Sequence, residues 1–479
     1  MHPNLPDRPL LPRALPALRL DHAGRRRVDL GAVVALAAPL FLNSGIQAVL
    51  NLTDTWFLGR ISAAATAAVG GVFWFTIVIL LLVGGAAMAV QTLVAQAYGA
   101  GDRTRAAAAV WGGLWVVLLM SPLFVAAGLA GGWFLAPARL PPEIEALALD
   151  YWFPRVAGSV AGVALWCVTS FYNGIGRTGV TLALMTVVGV ANVILNQLLG
   201  FGFGLGVAGI AWATTGAQAL GFLLGLWIFL RPRTRREFAS HHHWRPRSDT
   251  MIRALALGLP MGLLPAADLI GTGLFQLMQV DLSTVAGAAT QVTMMMTSIA
   301  YMPAIGIASG GTTLVGQAIG AGDRDWARRV GNTAIALTVA YMGLVSLVLA
   351  AAGPWLMPLF INPADPHARA VVETAALLIW LGAAYQIFDG LNLACGFALR
   401  GAGDVRLPAL MTLLLSWLGF LPLAHMLTFA PGEGWVDWLP QFGLGALGGW
   451  AALLVYVAAL GTMMALRWRS GAWQRIALD

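Results

Sequence analysis

Three carboxylates sit inside stretches of sequence that otherwise exclude charge. Nearly all of the 21 acidic residues fall in loops or at the ends of hydrophobic runs. Asp54 in NLTDTWFLGR, Asp268 in GLPMGLLPAAD and Asp389 in AYQIFDGLN lie within such runs. An ionised side chain near the centre of a helical span costs about 2.5–3.5 kcal/mol, so each needs a hydrogen-bonded structural role or a function.

Their neighbours point to function. On a helix, Tyr385, Asp389 and Asn392 share one face and offer phenol, carboxylate and amide oxygens to a cation. Asn192 and Asn196 are four apart, and Thr214 follows on the next run in WATT; Asp54 faces these oxygens if the first, fifth and sixth runs meet. A carboxylate so placed is neutral when protonated and ionised when it holds Na⁺ or an organic cation. Mutually exclusive occupancy of that kind is the basis of antiport.

Other chemistry finds less support. GIGRTG (174–179) formally fits a GxGxxG nucleotide loop, but it follows a membrane run and not a strand. Of the seven histidines only His425 is in a run, and His241, His242 and His243 sit in an arginine-rich loop, so no catalytic metal centre and no enzyme is expected. Cys167 and Cys395 fall in different halves of the chain, as small packing residues.

The elements that must position the acids are the runs themselves. With 59% hydrophobic and 10% charged residues and a mean hydropathy of +0.77, the composition is that of a polytopic membrane protein. A hydrocarbon core of about 30 Å takes roughly 20 apolar residues as a helix. Such runs are read near 30–57, 68–97, 107–132, 149–171, 179–200 and 207–230, and again near 253–279, 286–318, 328–352, 371–399, 408–429 and 442–466. The fold class is therefore an all-α membrane protein of twelve transmembrane helices.

The net charge of +7 does not indicate a nucleic-acid partner, because of where it sits. All 28 basic residues are arginines. They cluster before residue 28, in RPRTRREFASHHHWRPR, in the loops after the second, fourth, eighth and tenth runs and in the tail, leaving Arg60, Arg139, Arg155 and Arg369 on the other side. By the positive-inside rule both termini are expected to be cytoplasmic, in a multi-pass membrane protein. The expected organisation is a cytoplasmic tail (1–29) and not a cleaved signal peptide, a six-helix lobe (30–230), a basic linker (231–252), a second lobe (253–466) and a C-terminal tail (467–479).

The chain also repeats. QAYGAGDRTRA (96–106) matches QAIGAGDRDWA (317–327) at eight of eleven positions at an offset of 221, Pro39 falls on Pro260, and GIGRTGVTLALMT resembles GAGDVRLPALMT with a one-residue slip. The unit has six helices, an even number, so the two bundles are expected to be related by a pseudo-twofold axis along the membrane normal. Asp102 and Asp323 in the GAGDR turns read as residues that end helices or pair across the loop. At the same offset Asp54 falls on Phe275 and Asp268 on Gln47, so each half has its own acids.

DTWFLGR, the paired QAxGAGD turns, NGIGRTG, LRGAGD and NVILNQLLGFGFGLGVAGIAWAT together resemble the multidrug and toxic compound extrusion (MATE) family, in its NorM-like branch, from about residue 30 onward. The resemblance implies a cation-coupled antiporter, driven by H⁺ or Na⁺, that exports small organic cations or amphipathic drugs by alternating access. It carries a protonation or cation site onto Asp54, with Asn192, Asn196 and Thr214, and a sodium site onto Asp268, Tyr385 and Asp389. No cofactor beyond the coupling ion, no ATPase subunit, and membrane lipids as surroundings are expected. The alternative is a lipid-linked precursor flippase of related fold. Its large anionic head groups would call for arginines lining a central cavity, whereas here they cluster in loops.

Overall fold

A backbone in hydrocarbon must satisfy its own N–H and C=O groups, which leaves helices as the form these runs can take. The computed structural model describes residues 15–136, 140–361 and 366–476; Arg139 and the first fourteen residues of the N-terminal tail lie outside them. Among the described residues twelve helices are long and apolar enough to span a membrane. They are α1 (Leu30–Ile61), α2 (Ala64–Gly99), α3 (Arg103–Leu129), α4 (Pro142–Gly174), α5 (Thr178–Gly202), α6 (Gly206–Leu230), α7 (Ser248–Leu282), α8 (Thr284–Gly320), α9 (Arg324–Leu356), α10 (Ala368–Ala402), α11 (Arg406–Thr428) and α12 (Gly445–Arg469).

Several boundaries differ from the hydropathy reading. The first helix continues to Ile61, so Asp54 stands seven residues from its end and not three. Arg60 permits this by folding its guanidinium over Trp56 and Phe201, 5.1 and 4.9 Å from the ring centroids, which keeps a charge in an apolar helix end. Helix α4 starts earlier than expected, at Pro142, with Glu143 and Glu145 in its first turn, where proline and acids suit the helix start.

The described part of the tail, from residue 15, and the linker form secondary structure. Leu18–Leu20 (β1) and Arg26–Val28 (β2) form an antiparallel hairpin, the exception among the described residues to a helical architecture. Asp21 Oδ1 accepts from the backbone N–H of Ala23 and Arg25, both at 2.9 Å, and so folds the connecting turn. The hairpin docks on the start of α9. Arg26 pairs with Asp323 at 2.8 Å and Trp326 Nε1 donates to the Pro16 carbonyl at 2.9 Å. In the linker, Pro232–Phe238 is a short helix whose Phe238 is fully buried against Phe171 and Tyr98, and Glu237 pairs with both Arg103 and Arg177. At the C-terminus α12 runs past the expected end of its span to Arg469.

The GAGD turns are helix starts. Asp102 Oδ1 accepts from the Arg105 N–H and Asp323 Oδ1 from the Trp326 N–H, each at 2.8 Å, as N-caps do. Between the halves, α2 packs on α7 and α8, and α1 on α8. Their hydrogen bonds are reciprocal: Gln96 Nε2 donates to the Gly401 carbonyl at 2.9 Å and Gln317 Nε2 to the Gly174 carbonyl at 2.8 Å, while Thr92 Oγ1 donates to Arg400 O and Thr313 Oγ1 to Asn173 O. A Cβ on Gly99 would strike the Gln317 carbonyl, and one on Gly320 the Gln96 carbonyl. The pseudo-twofold relation is thus written into this interface, which lies at the end of the molecule carrying both QAxGAGD turns.

Candidate functional site

In the first bundle α1 packs against α5 and α6, and this brings four polar side chains together. Asn196 Nδ2 donates to Asp54 Oδ1 at 2.7 Å and Thr214 Oγ1 to Asp54 Oδ2 at 2.9 Å. Asn196 Nδ2 also reaches Asn192 Oδ1 at 3.2 Å, and Asn192 Nδ2 reaches Thr214 Oγ1 at 3.2 Å. Asn192 and Asn196 are buried. Asp54 and Thr214 are half-buried. Asn196 opens a π-helical turn, Asn196–Gly202, the kind of local widening that is frequent at functional sites and that here turns the amide toward Asp54. Asn196 Oδ1 is buried without a hydrogen-bond donor, an acceptor open to a proton-bearing or cationic partner.

Arg155 is an unforeseen member of this group. Hydropathy and charge placed it at a membrane face, but it stands thirteen residues into α4, close enough for its charge to act on Asp54 and Tyr151, with Nη1 3.4 Å from Gln218 Oε1. The signal for it was an arginine within an apolar run, facing another run that holds an acid.

In the second bundle Asp389 pairs with the expected Tyr385, whereas Asp268 has a partner that the sequence did not point to. Tyr385 Oη donates to Asp389 Oδ2 at 3.4 Å, with Asn392 on the same carboxylate. Asp268 takes its hydrogen bond from Tyr456 on α12, at 3.0 Å, and not from Tyr385. The two carboxylates lie close enough to repel one another, and Tyr301 lies within range of both charges. Ser416, in the π-helical stretch Leu415–Phe420 of α11, lies by the Tyr456 hydroxyl. Each bundle therefore has a π-helical turn next to its acid. Tyr456, Tyr301 and Ser416 come from helices with no acid of their own, and only helix packing shows where they belong.

The donor sets differ. Around Asp54 there is one carboxylate, two amides, a hydroxyl and a nearby arginine, a set that suits protonation of the acid better than a metal cation. Around Asp268 and Asp389 two carboxylates and the oxygens of Tyr385, Tyr456 and Asn392 match the all-oxygen ligation that hard cations prefer. Among the described residues there is no histidine, cysteine and acid cluster able to hold a transition metal.

Twelve membrane helices in two bundles, with an acid site in each, define a polytopic membrane transporter of the duplicated six-plus-six type. The comparisons with known proteins narrow this. The MatE family model matches residues 39–199 and 270–424, and the chain belongs to that family. It is similar to the multidrug resistance protein NorM of Burkholderia vietnamiensis (33% identity over 90% of this chain and 92% of that one). It is also similar to the probable multidrug resistance protein NorM of Pseudomonas aeruginosa PAO1 (32%, 92% and 90%). Among solved structures it shares the fold of an outward-facing multidrug resistance MATE family transporter (TM-score 0.81, 18% identity, 93% of this chain and 96% of that one). It likewise shares that of a Pyrococcus furiosus transporter of the same superfamily described as having a binding pocket of reversed polarity (TM-score 0.79, 18% identity, 93% and 96%).

Proposed function

We propose that this protein is a cation-coupled multidrug antiporter that exports amphipathic organic cations from the cytoplasm by alternating access. It resides in the bacterial inner membrane with both termini cytoplasmic. The observation that carries the reading is the presence of a hydrogen-bonded acid site in each bundle, Asp54 with Asn192, Asn196 and Thr214, and Asp268 with Tyr456 beside Asp389 with Tyr385. The relatives named for multidrug resistance supply the substrate class and weigh against the lipid-precursor flippase.

The end at which the bundles are joined by Gln96 and Gln317 carries the arginine-rich turns, and the positive-inside rule supports assigning it to the cytoplasmic side, so that closure there corresponds to an outward-facing state. Asp54 lies toward the opposite end of α1. An inward-moving ion that neutralises or occupies these carboxylates, and a cationic substrate that needs them ionised, favour different states; their differential affinity drives export. A membrane potential of about 100 mV adds roughly 2.3 kcal/mol for each net charge moved. By the donor sets, protonation is assigned to Asp54 and Na⁺ to Asp268, Tyr385 and Asp389.

The test is efflux of a fluorescent lipophilic cation from proteoliposomes under a Na⁺ gradient or a proton gradient, imposed separately, for wild type, Asp54→Asn and Asp389→Asn. Na⁺-driven efflux lost in Asp389→Asn places coupling in the second bundle, and proton-driven efflux lost in Asp54→Asn places it in the first. Absence of gradient-driven efflux for every cation tested overturns the proposal.

A further inference from the structure

Beside the acid sites, the molecule has a lateral groove between the two bundles. It has a volume of about 500 Å³ and is walled by α2 and α3 on one side and α7 and α11 on the other. That volume is in the range of ligand-holding pockets, roughly 300–1,000 Å³. Apart from Arg406, every side chain lining it is apolar. Leu82, Leu123, Leu259, Leu263 and Leu410 on its walls are each at least 40% exposed, so the groove opens sideways, toward the hydrocarbon that surrounds a membrane helix.

Its polar end is Arg406, the first residue of α11, which is exposed and makes no hydrogen bond or ion pair with any described side chain. Ala409, Leu410 and Leu413 continue from it along the same face of α11 and also line the groove. The apolar floor therefore runs about 10 Å away from the guanidinium at the helical rise of about 1.5 Å per residue. A cation at one end of a long apolar slot matches a molecule with an anionic head and a hydrocarbon tail. It repels the cationic compounds assigned as substrates. Arg406 sits at the arginine-rich end of the bundle, next to the leaflet that carries anionic lipids, and guanidinium is suited to bidentate phosphate binding.

We propose that this groove is a binding site for an anionic phospholipid of the cytoplasmic leaflet, with an acyl chain between α2, α3, α7 and α11 and the phosphate on Arg406. Its walls belong to different bundles, so a lipid seated there stabilises the arrangement in which the bundles are joined at this end. This goes beyond the export reading and does not depend on it, because lipid retention is read without transport.

The experiment is native mass spectrometry of the full-length protein in detergent, titrated with phosphatidylglycerol or with phosphatidylcholine of the same acyl chains. The variants are Arg406→Gln, Arg406→Lys and Leu410→Trp, the last filling the slot from an exposed position. Wild type is expected to retain phosphatidylglycerol at least tenfold better than phosphatidylcholine. Arg406→Gln removes that preference, Arg406→Lys keeps part of it, and Leu410→Trp lowers retention of both lipids. Each variant must elute as wild type on size exclusion, and Leu123→Trp, from the opposite wall and also exposed, replaces Leu410→Trp if that one misfolds. An unchanged preference in Arg406→Gln, or equal retention of both lipids in wild type, overturns the proposal.

Discussion

Gln96 and Gln317 make the same hydrogen bond in opposite directions, each amide donating to the carbonyl of a glycine in the last turn of a helix of the other bundle, Gly401 in the tenth and Gly174 in the fourth. Each also lies with its own carbonyl against a glycine of its counterpart's turn, Gln317 on Gly99 and Gln96 on Gly320. One motif, repeated at an offset of 221 residues, thus joins the two halves of the molecule at one end.

Weakening this joint should shift the balance of conformations. A net hydrogen bond is worth about 1 kcal/mol, so Gln96→Ala and Gln317→Ala should each raise the population of the state open at this end by roughly fivefold. Gly99→Ala, which forces a methyl group into a carbonyl, should do more. Distances between spin labels at Arg105 and Asp325, measured by pulsed electron resonance, report the change. A distance distribution in Gly99→Ala identical to wild type would contradict the role given to this contact.

Thr214 holds Asp54 by an O–H donor at 2.9 Å. Thr214→Val keeps the shape and removes the donor; hydrogen bonds to charged groups are worth about 1.5–3 kcal/mol, so proton-driven efflux should fall by at least tenfold. Thr214→Ser should retain most of it. Initial rates in proteoliposomes decide the point, and equal rates in the valine and serine variants would remove Thr214 from the site.

Tyr456 is the partner of Asp268. Losing its hydroxyl in Tyr456→Phe should raise the Na⁺ concentration for half-maximal efflux by one to two orders of magnitude, taking the same range of about 1.5–3 kcal/mol, while leaving proton-driven efflux near wild type. A Na⁺ dependence matching wild type would show that Asp268 works without this phenol.

The linker should loosen in acid. Partial burial, then the neighbouring Arg247 and His242 charges, hold the His243 imidazole below its ordinary range, with Asp102 opposing them. The folded segment thus favours the neutral ring, and its stability is present above the unfolded pKa of about 6.5 and is lost as pH falls from there through the lowered pKa of the folded state. Hydrogen exchange over residues 239–247, corrected for intrinsic rate, should quicken between pH 7 and pH 5.5. The variant His243→Gln should show a shallower profile, with the remainder carried by His241, which is also held below its ordinary range, and an equally steep one would assign the effect elsewhere.

How much of this was legible in the sequence depends on the range of the interaction concerned. Apolar length alone dictates twelve helices, and the spacing Tyr385 to Asp389 dictates a shared helix face, because both follow from the geometry of a single helix. Identity at an offset of 221 likewise exposes the duplication. The ends of the helices were less legible. Arg60 carries α1 four residues further than hydropathy implies because two rings on different helices receive its charge, and the linker helix forms because Phe238 finds a buried place in another element.

Sequence by itself determined the class of the molecule, the three acids within its membrane helices and the polar residues on their own helices. Only the tertiary structure decided which helices meet those acids: that α5 and α6 close on Asp54, that the charge of Arg155 reaches it, and that Asp268 takes its partner Tyr456 from α12. The reason is physical. A helix fixes the relative positions of residues three and four apart, whereas contacts between helices are set by the packing of whole surfaces, which no local spacing records.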